Sequence, residues 1–88
     1  MSGATTNNAI ALALRALAAA LGNQRLAARF LSLSGIDPPD LRHRAADPDL
    51  LAALLRFLEA HEPDLLAVAK EVGVKPEVLV AARRELEA

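Results

Sequence analysis

Four times the chain sets a proline directly before an acidic residue and then runs into apolar positions: Pro39-Asp40, Pro48-Asp49, Pro63-Asp64 and Pro76-Glu77. Proline suits the first position of a helix, where its missing N–H loses no hydrogen bond. An acid in the first turn faces the positive end of the helix dipole. Gly22, Gly35 and Gly73 each follow an apolar run, where a helix C-terminus favours a residue that tolerates positive φ. This punctuation predicts short helices over about 8–21, 24–33, 39–46, 48–60, 63–72 and 76–87. Asp47 is a good N-cap for the fourth, whereas Lys75 offers the sixth no side-chain cap. The proline spacings of 9, 15 and 13 residues are too irregular for a solenoid repeat.

Composition points the same way. Ala and Leu supply 20 and 17 of the 88 residues, with two Phe and no Cys. That is too apolar for a disordered chain and too poor in β-branched and aromatic residues for a sheet. Without cysteine there is no disulfide framework, thiolate nucleophile or zinc–thiolate site. The expectation is an all-α fold, a compact orthogonal bundle of five to six short helices. Residues 8–88 form a single helical domain behind a small, polar, flexible leader, residues 1–7. Helices of this length joined by Pro and Gly turns favour crossed packing over a long coiled coil. The most apolar stretch, Ala9 to Leu21, is thirteen residues long with Arg15 inside it. A spanning helix needs about 20, and residues 1–8 lack the positive charge of a signal peptide. No membrane association is expected, and the default location is the cytoplasm.

Residues 100° apart around each helix indicate the buried faces. Leu26, Phe30 and Leu33 share a stripe on the second helix. Leu50, Leu51, Leu54, Leu55, Phe57 and Leu58 spread so widely over the fourth that it should be central, packed from two sides. The fifth offers Leu65, Val68, Ala69 and Val72; the sixth offers Val78, Leu79, Ala82 and Leu86. On the first helix Ile10, Leu14, Leu17 and Leu21 make a core stripe, yet the opposite side holds Leu12, Ala16 and Ala19. A helix apolar on both sides is covered on both sides. Leu12, Ala16 and Ala19 are therefore the candidate interface for a second chain, against the plainer reading that alanine is simply a strong helix former.

Catalytic machinery is thin. Ser32 and Ser34 lie near a helix end, where serine commonly serves local hydrogen bonding. His43 and His61 stand eighteen residues apart without metal-ligand spacing, and His61 closes the fourth helix. No acid pair or Gly-rich loop demands chemistry. The expectation is no enzyme, no cofactor, no metal and no small-molecule substrate. Arg42, His43 and Arg44 form the densest positive cluster, a candidate anion contact or a solvated face. Charge divides along the chain, +3 over residues 1–46 and −4 over 47–88.

Residues 65–84, LLAVAKEVGVKPEVLVAARR, match the packing positions of a helix-turn-helix, with Ala69 at the close contact and Gly73 at the turn. The outward positions of the second helix are Lys75, Pro76, Glu77, Val80, Ala81 and Arg84, and Glu77, Glu85 and Glu87 repel phosphates. Nucleic-acid binding is thus the alternative reading. Over Phe30 to Ala88 the chain resembles a family of short uncharacterised bacterial α-helical proteins, a domain of unknown function. The carrying segments are FLSLSGIDPPDLRHRAADPDLL and FLEAHEPDLLAVAKEVGVKPEVLVAAR. The resemblance implies a small α-helical fold and brings no activity, cofactor or catalytic residue. The leading expectation is a small non-enzymatic protein-interaction module, taking a protein partner or forming a homodimer through its N-terminal helix.

Overall fold

Each helix boundary traces to local chemistry. The structure, a computed structural model, describes the backbone of residues 2–88 and side chains from residue 7 onward. Six helices follow in order: α1 Ser2–Leu21, α2 Gln24–Ser34, α3 Pro38–His43, α4 Pro48–Glu59, α5 Glu62–Val72 and α6 Pro76–Glu87. Prolines occupy the first or second position of α3, α4, α5 and α6. The Asp47 carboxylate accepts from the Asp49 N–H at 2.9 Å, and Lys75 provides no side-chain cap. Gly35 (φ 70°) and Gly73 (φ 88°) end α2 and α5 in the left-handed conformation. Gly22 does not take positive φ. The α1–α2 corner instead closes through Asn23, whose N–H donates to Ala20 O and whose side-chain Oδ1 accepts from Arg25 N–H and Leu26 N–H.

Three boundaries differ from expectation. α1 starts at Ser2 rather than residue 8, so the expected leader contributes to the helix, and its first residue, Met1, lies outside the described residues. No proline interrupts residues 1–21, and propagating an existing helix gains a hydrogen bond for each residue fixed. α3 ends at His43, three residues short. His61 does not close α4, which ends at Glu59; it is the N-cap residue of α5.

The bundle is all-α, with no strand among the described residues. Its radius of gyration, 11.9 Å, is close to the roughly 12 Å expected for a globular chain of this length. α1, α4, α5 and α6 build the centre, with α6 laid against both α1 and α4, while α2 leans on α1 and α3 is the most lightly held. α4 is central as its wide apolar arc predicts: Leu50, Leu51, Leu54, Leu55 and Leu58 are buried, and Phe57 is partly so.

The buried face of α1 differs from the predicted one. Ala9, Ala13, Ala16, Leu17 and Ala20 are buried, whereas Ile10 and Leu14 are half-buried and Leu21 is exposed. Small side chains let α1 approach α4 and α6 closely, and the bulkier leucines flank that seam. Ala16 is 0% exposed, and Leu12 and Ala19 pack in part against the core. The expected interface of Leu12, Ala16 and Ala19 is therefore no free patch, because Ala16 is enclosed and Leu12 and Ala19 are each partly covered by the chain's own helices. Leu33 is 75% exposed and Val78 41%. Their stripes run past the neighbours beneath them; Leu31 rather than Leu33 turns toward the core.

Candidate functional site

Where α1 ends, α2 ends and α3 crosses, the three leave space between them. Leu17 and Leu21 of α1, Leu31 of α2, and Pro38, Leu41 and Ala45 from α3 and its following turn enclose an apolar groove of about 250 Å³. Leu17 and Leu41 are buried and Leu21 is 37% exposed, an apolar floor with an open rim. Local sequence explains the shape. Gly35 in the left-handed conformation stops α2, two prolines start α3, and α3 is too short to bury more than Leu41. Arg42 is the only charged side chain lining the groove. It is exposed and has no ion pair or hydrogen-bonded side-chain partner among the described residues.

The other members of the positive cluster do not share that position. His43 is exposed at the last turn of α3. Arg44 is turned to Asp47, with Nη2 and Oδ2 3.4 Å apart. Ser34 serves its own turn: its hydroxyl donates to Leu31 O and accepts from Ile36 N–H. Leu12 borders a shallow hollow against α6 with Asn8, Val78 and Ala81. Ala19 borders a wider cleft of about 660 Å³ between the α1–α2 corner and α5, where Asn23, Arg25 and Glu71 bring polar groups. Among the described residues no three His, Asp or Glu side chains converge in a metal-binding group.

Charged residues elsewhere hold helices together. The Arg15 guanidinium donates to Val72 O at 2.7 Å, capping the end of α5 from α1. Arg29 of α2 donates to the buried Asp64 carboxylate of α5 at 2.6 Å and lies over the Phe57 ring, 5.2 Å from its centroid. Phe57 meets Phe30 at 5.4 Å. Arg83 of α6 binds Glu59 of α4 through two hydrogen bonds, and Glu87 accepts from both Arg83 and Arg56. The hydrogen bond from Arg56 holds the Glu87 carboxyl below the usual glutamate value; partial burial opposes it and Arg83 adds to it. Arg56 and Arg83 are pushed up in turn, Arg56 by Glu87 and Arg83 first by Glu59.

Sequence reasoning placed Leu17 in the core correctly but missed the groove. Leu31 lies off the predicted α2 stripe and Leu21 lay on the predicted α1 core stripe, so neither signalled an open rim. Arg42 was singled out for its charged neighbours, whereas its position beside aliphatic side chains depends on three helices meeting.

Among known proteins, the family described as "Protein of unknown function (DUF3572)" matches residues 6–88. No curated protein and no solved structure matches the chain significantly.

Proposed function

We propose that this chain, which belongs to the DUF3572 family, is a small non-enzymatic interaction module that docks a protein partner in the groove between α1, α2 and α3. The observation that carries the reading is the groove itself: buried Leu17 and Leu41 behind an exposed Leu21 rim. At about 250 Å³ it falls below the roughly 300–1,000 Å³ of pockets that enclose small molecules. Its aliphatic lining supplies almost none of the convergent polar groups that orient a metabolite. A few apolar side chains from another protein fit both its size and its chemistry. Ala16 is enclosed, and the N-terminal helix enters this reading through its last turn, where Leu21 forms the exposed rim of the groove. No described helix is long and apolar enough to cross a membrane, and a cytoplasmic location is part of the proposal.

The helix-turn-helix alternative has less support. The exposed positions of α6 are Glu77, Val78, Ala81, Arg84 and Glu87, one cation against two acids where base reading favours Arg, Lys, Asn or Gln.

Leu21→Asp tests the reading, because it charges the rim without entering the core. In native extract, size-exclusion chromatography should show the wild-type chain in a complex that Leu21→Asp dissolves and Ala81→Asp, on exposed α6 surface, leaves intact. A complex indifferent to Leu21→Asp overturns the groove as the docking face.

A further inference from the structure

We infer that the occupant of the groove is an amphipathic α-helix carrying a carboxylate beside its apolar anchors, paired with Arg42. The inference rests on the docking reading above and specifies the partner's chemistry.

Backbone chemistry selects a helix. The walls are helix ends and a turn, no strand among the described residues offers a pairing edge, and Pro38 contributes no N–H. An extended peptide gains its affinity by pairing with an open strand edge. Here there is no edge, so a segment entering this apolar space must satisfy its own N–H and C=O groups. An amphipathic helix does so and presents apolar side chains at i, i+4 and i+7. The α1 wall has the matching spacing: Leu17 and Leu21 are four residues, about 6 Å of helix rise, apart.

Charge selects the rest. Arg42 is the one charged group in the lining and has no acidic partner of its own, while Arg44 is already turned to Asp47. Residues 1–46, which build all three walls, carry a net +3. A carboxylate on the approaching helix meets a free guanidinium at the edge of an apolar surface, where such pairs fix register and exclude like charge. A lysine in that place meets repulsion.

The test uses fluorescein-labelled peptides of about 18 residues, long enough to form helix, with leucines at i, i+4 and i+7. One version carries Glu beside the leucine stripe, one Lys, and one has Glu with a central Pro. Anisotropy titrations with the full chain should show binding of the Glu peptide, loss with Leu21→Asp, and much weaker binding of the Pro peptide. Arg42→Glu should weaken the Glu peptide by about tenfold and make the Lys peptide the better ligand. Circular dichroism establishes that both variants keep wild-type helicity. Equal binding of Glu and Lys peptides by the wild type overturns the carboxylate, and equal binding of the Pro peptide overturns the helix. If no peptide binds while Leu21→Asp still dissolves the native complex, this inference fails and the docking reading stands. If Leu21→Asp affects neither peptide nor complex, the docking reading itself fails. Sedimentation of pure protein as a dimer that Leu21→Asp dissociates makes a second copy the occupant and overturns the inference.

Discussion

Ala16 has no exposed surface and sits in the α1 seam of small residues, so the meaning of a charge there follows from burial. Ala16→Glu places a carboxylate among apolar side chains with no cation to meet it, a change costing about 3 kcal/mol or more. The expected outcome is loss of helical circular dichroism or a sharply lowered melting temperature. Full helicity with an unchanged melt would mean that the seam is open. Leu54, also without exposed surface, measures the other side of the core: Leu54→Ala should cost about 2–5 kcal/mol in denaturant unfolding. Leu12→Ala should cost less, since Leu12 is only half-buried against the core. Equal losses would contradict the exposures. At this scale the sequence was a partial guide. Leu54 announced itself because bulky residues surround it on every helical turn. Ala16 did not, because an alanine on a wheel looks the same whether a helix presses on it or water does.

Helix ends were the most legible elements, since caps depend on residues within a turn or two of the boundary. α4 and α6 make a direct comparison. Asp47 accepts the Asp49 N–H through its side chain, while Lys75 occupies the same position of α6 in extended conformation with no side-chain acceptor. Asp47→Ala should therefore lose about 1 kcal/mol, and Lys75→Ser should gain some tenths to about 1 kcal/mol. In a domain of this size that predicts opposite melting shifts of a few degrees each. Two shifts of the same sign would mean that something other than the cap governs one boundary. Helix faces were less legible, because they depend on where the neighbours stop. Leu33 and Val78 lie on correct stripes and are exposed all the same. The groove lies beyond any single element. Leu21, Leu31 and Leu41 each read as ordinary helix apolar residues, and only the crossing of α1, α2 and α3 makes them a lining.

Across the whole molecule, α6 returns to pack on α1 and α4, so the last twelve-residue helix completes the core that the first one begins. A cluster of four charges ties that closure: Arg56 and Glu59 on α4, Arg83 and Glu87 on α6. Glu87 touches both arginines, and the hydrogen bond from Arg56 is the main reason its carboxyl stays ionised below the ordinary glutamate range. A carboxyl whose pKa is lower folded than unfolded stabilises the fold at every pH above the unfolded value, and this contribution disappears as pH falls through the lowered folded value. Glu87→Gln removes it. The variant should melt below the wild type at pH 7, and the gap should narrow as pH drops below about 4.5, the ordinary value. The Arg56–Glu87 pair opens to solvent through Arg56, 63% exposed against 29% for Glu87, so added salt should also narrow the gap at pH 7. Thermal melts from pH 7 to pH 2, at low and high salt, read both dependences. A gap that stays constant down to pH 2 would assign the loss to the packing of the Glu87 side chain, and the α4–α6 closure would then owe nothing to its charge.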